Sequence, residues 1–200
     1  TGDLIRFIYH TTPHRGLELV YPIFDALSKE FDNIHLDVYS SFKIYGWENR
    51  DKPYQALFDK IKQHSKMTYH GTQRNDVVIE ALKKSHVFLF PSIWKETSCI
   101  AMIEAIRCGC LVIHPSYGAL TETSSGATLM YDYTENISDH ANRCYQAARN
   151  LLILQNKHKN ILDHILDPVK CELPYHSIHA FSNSWNDLLQ KLVDKSKYVI

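Results

Sequence analysis

Two hundred residues, 44% apolar and 22% charged, with 22 basic and 22 acidic side chains, describe an ordinary globular chain long enough for one sizeable core. A formal charge of zero excludes a broad nucleic-acid footprint, and no apolar run reaches the roughly 20 residues of a membrane span. Five cysteines (Cys99, Cys108, Cys110, Cys144, Cys171) are odd in number and several fall in apolar segments, so free thiols in a reducing, cytoplasmic compartment are expected.

The chain opens with Thr1-Gly2-Asp3 just before a strand pattern, as a domain cut from a longer protein would. Leu4 to Tyr9 predicts the first strand. Gly16 to Phe31 predicts a helix, with Leu17, Val20, Ile23, Phe24 and Leu27 at helical spacing. The loop His10 to Arg15 joins them. Ile34 to Tyr39 reads as a second strand, followed by a polar, aromatic loop from Ser40 to Pro53 that carries Tyr45-Gly46-Trp47; such long loops are where specificity tends to sit. A helix over 54–65, a short strand Met67 to Tyr69 ending at His70-Gly71, and an amphipathic helix Asn75 to Ser85 complete the first half.

The stretch His86 to Leu120 is the most informative. Val87 to Phe90 has the length and aromatic content of a buried strand, ended by Pro91-Ser92. The loop Ile93 to Thr97 carries Trp94, Lys95 and Glu96. A helix of about Ser98 to Cys108 follows, with Ser98 as N-cap and Gly109 as stop, and Cys110 to Ile113 is the next strand. The Cys108-Gly109-Cys110 pair straddles helix stop and strand start, so its thiols are not placed to converge on a metal. The histidines form no H-E-x-x-H pattern, and no zinc site is expected. Ala127 to Tyr131 reads as a last strand. Beyond it the pattern is helical: Ile137 to Gln155, a second segment to Leu166, a proline-bearing separator Asp167 to Tyr175, and a terminal helix Phe181 to Val193. The absence of a Walker loop and of G-x-G-x-x-G argues against a nicotinamide cofactor. Strands alternating with helices predict an α/β fold: a doubly wound, mostly parallel, Rossmann-like sheet of about six strands with helices on both faces. Residues 1–200 form one domain in this reading, with about 176–200 as a closing helical segment.

Seven residues separate Glu96 from Glu104, one in a strand-to-helix loop and the other roughly 9 Å along the helix from Ser98 at 1.5 Å per residue. Between them the helix start offers the N–H groups of Ser98, Cys99 and Ile100, which with the helix dipole favour an anion. A phosphate site flanked by two hydroxyl-binding carboxylates has the layout of a sugar joined through a diphosphate to a ribose. A solvated Glu96 and a Glu104 on an exposed helix face is the plain alternative.

The run Glu96-Thr97-Ser98-Cys99-Ile100-(x)3-Glu104-Ala105, then Gly109 and Gly118-Ala119-Leu120-(x)-Glu122, resembles the donor-binding core of retaining GT-B glycosyltransferases of the family 4 type. Tyr9-His10-Thr11-Thr12-Pro13-His14-Arg15-Gly16-Leu17 resembles the first strand and basic loop of that family. Phe181 to Leu189 resembles its closing helix, which commonly packs back on the other domain. The resemblance spans nearly the whole chain but only the C-terminal half of such an enzyme, the N-terminal acceptor half being absent.

The resemblance implies a hexosyltransferase-type activity that uses a nucleotide diphosphate sugar, with no cofactor and no metal. The acceptor would be a glycan, a lipid or a protein. By the same resemblance Glu96 contacts donor-sugar hydroxyls and, with Arg15, serves catalysis. Arg15 and the N–H groups of Thr97 to Ile100 hold the diphosphate, Glu104 holds the ribose, and Gly71 lies beside the base. The family's second basic residue is replaced here by Tyr9 or His10, a loss that His10, His14 or Lys95 would have to make good. Glu96 is expected to face a cleft open to water, and the fragment alone to be inactive. The rival readings are a GT-B epimerase or phosphorylase, a non-catalytic nucleotide-sugar-binding module, and a receiver domain. The receiver would need an acidic cluster at the strand ends, which is missing.

Overall fold

Strands separated by helices return in the same direction and pair parallel. In the computed structural model, which describes residues 4–126, 128–158, 161–162 and 178–196, this pattern runs β1 (Ile5–Tyr9), α1 (Leu17–Glu30), β2 (Ile34–Val38), α2 (Gln55–Gln63), β3 (Met67–Tyr69) and α3 (Asn75–Leu82). It continues with β4 (Val87–Leu89), α4 (Ile100–Arg107), β5 (Leu111–Pro115), α5 (Leu120–Thr123), β6 (Leu129–Tyr131), α6 (Ile137–Lys157) and α7 (Ile178–Ser196). All six strands pair parallel in the order β3-β2-β1-β4-β5-β6.

Burial explains the strand sequences. β4 and β5 lie inside the sheet with both faces covered, and every residue of Val87–Leu89 and Leu111–Pro115 is buried. In β2, Ile34, Leu36 and Val38 point into the core while His35 and Asp37 stay half-buried. Helix α1 lays Leu17, Val20, Phe24 and Leu27 on the sheet, where Phe7 meets Phe24 edge-on at 5.5 Å.

Three expectations are corrected. Helix α4 starts at Ile100, not Ser98, and its N-cap is Cys99, which makes no side-chain capping hydrogen bond. The fully buried Cys99 is drawn into the core, and that packing outweighs the hydroxyl of Ser98, which stays exposed. The stretch after β2 is not an irregular loop but two 3-10 helices, Phe42–Tyr45 and Glu48–Tyr54. It is pinned by Asp51, which accepts from the Ser41 hydroxyl and from the Phe42 N–H at 2.8 Å. The strand expected over Cys110 to Ile113 runs from Leu111 to Pro115, because the Cys110 N–H is still taken by the Ala105 carbonyl of the preceding helix at 2.9 Å. The separator Asp167 to Tyr175, Cys171, and the segment toward Leu166 beyond Leu162 lie outside the described residues. Helix α7 carries Phe181, Trp185, Leu188 and Leu192 at i, i+4, i+7 and i+11, all exposed. Among the described residues no helix is long and apolar enough to cross a membrane.

The strand order also places the site. From β1 the chain winds outward through β2 and β3, then crosses back to β4 on the other side of β1. The reversal opens a crevice beyond the carboxyl ends of β1 and β4.

Candidate functional site

The loops leaving β1 and β4 meet at that crevice, and two glycines let them do so. Gly16 has φ +123°, and a Cβ there would lie 2.3 Å from the Pro91 carbonyl oxygen. Gly118, at φ +58°, backs onto Glu96: a Cβ would come within 2.7 Å of the Glu96 carbonyl oxygen, which accepts the Ala119 N–H at 2.9 Å. The Glu96 backbone is therefore clamped from behind by the loop after β5.

Its side chain is clamped from the front. Arg15 Nη1 donates to Glu96 Oε1 in an ion pair, and Glu96 is only 5% exposed. The expectation of a Glu96 facing an open cleft is thus corrected. The guanidinium, delivered by the loop after β1, lies against the carboxylate, and the Gly118 contact closes the other side. Burial pushes the Glu96 carboxyl above its usual range, with Arg15 opposing the shift. Arg15 Nε is buried without a hydrogen-bond partner.

From this pair a cavity of about 340 Å³ runs under the loops after β2 and β3, and His10, Arg15, Tyr39, Gly71, Ser98 and Glu104 contribute to its walls. Of the residues singled out in the sequence, His10, Arg15, Gly71, Ser98, Ile100 and Glu104 come together here. Glu96 reaches this space only through Arg15, Thr97 is exposed but not part of the wall, and Cys99 is buried beneath it. The amides of Thr97, Ser98, Cys99 and Ile100 donate to no acceptor among the described residues. Burial raises the Cys99 thiol to about 11, even with the Met102 and Ala101 amides directed at it.

The basic complement differs from the expectation. His10 is buried, its ring 4.5 Å from that of Phe88, and burial lowers its pKa to about 4. Its Nε2 is buried with no partner. His14, stacked on Phe42 at 5.2 Å, is also lowered, first by burial and then by the neighbouring Arg15 and Arg50 charges. Neither histidine supplies a cation near neutrality. At the far end, Asn75 Nδ2 donates to Glu104 Oε1 at 2.9 Å, and burial raises the Glu104 carboxyl against the opposing pull of Arg107 and Asn75.

Two wall residues, Tyr39 and Thr72, escaped the sequence reading. The rings of Tyr39 and His70 stack at 4.3 Å and 5°, and His70 Nε2 lies 2.7 Å from Asp37 Oδ1. Thr72 Oγ1 is buried without a partner. The register pairing Asp37 with Thr68 and Val38 with Tyr69 is the only signal that could have joined Tyr39 to His70.

The family described as "Glycosyl transferases group 1" matches residues 2–127. A comparison with curated proteins finds no match. Among solved structures, sucrose-phosphate synthase from Thermosynechococcus elongatus is similar at TM-score 0.69 and 16% identity, over 96% of this chain and 46% of that one. The pneumococcal O-GlcNAc transferase GtfA, in complex with UDP and GlcNAc, is similar at TM-score 0.67 and 16% identity, over 96% and 37% of the respective chains. HepE of Anabaena, in complex with UDP-glucose, gives TM-score 0.68 and 12% identity over 94% and 49%. At such identities the likeness is one of fold, and the chain spans half or less of the length of each of these relatives.

Proposed function

This chain belongs to the glycosyl transferases group 1 family, and from that premise we propose that its cavity binds the nucleotide diphosphate sugar of a hexosyl transfer of the retaining, family 4 type. The observation that carries this reading is three buried polar atoms without protein partners on residues that line one cavity: His10 Nε2, Arg15 Nε and Thr72 Oγ1. Buried polar groups are ordinarily hydrogen-bonded, so orphaned groups on residues of one cavity wall suit a polar ligand there. Two of the solved relatives are complexes with UDP or UDP-glucose, which suits a ligand of the same class.

In this reading Glu104, steadied by Asn75, receives the ribose hydroxyls, and Gly71 and Thr72 lie along the base. The diphosphate rests on Arg15 and the unused amides of Thr97 to Ile100. Those fixed dipoles oppose the charge that develops on the leaving group, and in a dry site they do so without reorganisation. Glu96 holds Arg15 through Oε1 and keeps Oε2 for a hydroxyl of the donor sugar. The acceptor would be a glycan, a lipid or a protein.

Calorimetric titration with UDP, GDP, ADP and their sugar conjugates tests the reading. One nucleotide series should bind, and Glu104→Ala should weaken free nucleotide and full donor alike, by the roughly 1.5–3 kcal/mol of a charged hydrogen bond. Glu96→Gln should weaken only the sugar conjugate. Failure of every nucleotide to bind, or equal losses for both substitutions on free nucleotide, sinks it. A second reading, a nucleotide-sugar-binding module without transfer, is favoured by the uncharged His10, which leaves Arg15 the one fixed cation among the cavity residues named above. Epimerisation or phosphorolysis assays on the donor that binds separate the remaining GT-B chemistries.

A further inference from the structure

A second cavity, of about 490 Å³, opens on the other side of Arg15. His14, Arg15, Phe42, Trp47, Arg50 and Trp94 contribute its walls, and Thr12, Arg15 and Tyr45 are shared with the nucleotide cavity, so the two adjoin. Its chemistry is unlike that of its neighbour. His14 stacks on Phe42 at 5.2 Å and meets Trp94 edge-on at 4.8 Å, which makes a continuous ring-lined wall. Trp47 and Trp94 remain 51% and 50% exposed, although large aromatics usually bury most of their surface. His14 Nδ1, in that wall, is buried with no partner.

The charge is as distinctive. The Arg50 guanidinium lies 4.6 Å from the Trp47 ring centroid, and no carboxylate lies within ion-pairing distance of it among the described residues. Its neighbour Asp51 is turned away onto Ser41 and Phe42, an arrangement that also holds the loop in place. Flat ring faces complement the C–H faces of a pyranose, and an unpaired guanidinium complements a carboxylate or phosphate.

We propose that this cavity binds an anionic saccharide, a pyranose ring bearing a carboxylate or phosphate, and that the ring belongs to the acceptor. The second clause rests on the nucleotide-sugar reading, because the shared Arg15 wall would set such a ring beside the donor diphosphate. Trp94 and the part of Trp47 that Arg50 leaves uncovered hold the ring faces, and Arg50 selects the acidic substituent.

Tryptophan fluorescence tests the assignment on this chain. Methyl glucoside, methyl glucuronide and glucose 6-phosphate are titrated separately, and UDP is titrated into the same preparation. The glucuronide or the sugar phosphate should bind at least fivefold more tightly than the neutral glycoside, and comparison of the two identifies the anion. Arg50→Gln should abolish that preference, and Trp47→Ala should weaken all saccharides at least fivefold. Both side chains lie at the surface, so thermal unfolding should show the variants folded. UDP binding without any saccharide response overturns this proposal alone. Equal affinity for acidic and neutral sugars, or saccharide binding indifferent to Trp47→Ala, also overturns it. A saccharide response without nucleotide binding supports the anionic-sugar site while overturning the nucleotide reading and, with it, the assignment of the ring to an acceptor.

Discussion

A guanidinium laid against a buried carboxylate presents little net charge to an approaching anion, and that is the state of Arg15 and Glu96. Attraction for a diphosphate must then come from the free edge of Arg15, from amides, and from whatever histidine can add. His10 adds no charge near neutrality. Enclosure holds its pKa at about 4, and His114, buried in β5 with Nε2 2.8 Å from Thr128 Oγ1, is held at about 4 as well. Both folded pKa values lie below the unfolded value near 6.5, so folding favours the neutral ring. The stability this supplies is full above pH 6.5, is lost as pH falls toward 4, and changes no further below that. At pH 5 each ring costs about 2 kcal/mol, by 1.36 kcal/mol per pH unit below 6.5. The raised Glu96 and Glu104 carboxyls act in the opposite sense. The urea midpoint should therefore fall between pH 7 and pH 5, and nucleotide affinity should not climb as pH drops through 6.5. Imidazole resonances of His10 and His114 that titrate near 6.5 would contradict both expectations.

At the scale of elements, the strand-helix-strand unit from Val87 to Pro115 was readable because its cues are local: an apolar run, a proline stop, a helical period, a glycine. Arg15 and Glu96 could each be chosen by residue type and place in a loop. Their contact could not, because 81 positions separate them and only the reversal of strand order brings them together. The start of α4 was misread for a related reason: a hydroxyl at Ser98 is a strong local signal, but burial of Cys99 in the assembled core is stronger. The loop after β5 is a further case. Gly118 looks like an ordinary turn residue in sequence, yet its absent side chain is what lets Glu96 sit where it does. Gly118→Ala would place a methyl group 2.7 Å from the Glu96 carbonyl oxygen, on a backbone at φ +58°. Strain of this kind costs about 1–3 kcal/mol. The substitution should lower thermal stability modestly and weaken a nucleotide sugar more than the free nucleotide, because Glu96 moves and Glu104 does not. Calorimetry on the variant checks this: equal losses for both ligands would place the Gly118 contact outside the sugar end of the site.

For the whole molecule, the two cavities flank Arg15, and exposed apolar side chains stand in their walls: Ile44 at 60% and Ile100 at 70% in the first, and Tyr45 at 56% in both. These exposed walls leave the outer part of the site open to solvent, while Glu96 stays 5% exposed behind Arg15. Transfer depends on excluding water and on fixing both substrates, and loss of either removes much of the rate enhancement. Binding asks for less, because the loops after β1, β3 and β4 already bring the proposed nucleotide-binding residues to one cavity wall. The 200-residue chain should accordingly bind nucleotide and be stabilised by it. At a ligand concentration of 100 times Kd the gain is about 2.7 kcal/mol. For a chain of this size that raises Tm by about 5–10 °C. The same chain should release no nucleotide from a sugar donor when candidate acceptors are added, since it spans only 46% of sucrose-phosphate synthase and 37% of GtfA. A thermal-shift series with UDP, GDP and ADP, run beside a nucleotide-release assay with acidic and neutral glycosides, measures both. A shift without release is the expected result. Acceptor-dependent release would mean that these 200 residues already contain a working acceptor site, and the aromatic cavity beside Arg15 would be the place to look for it.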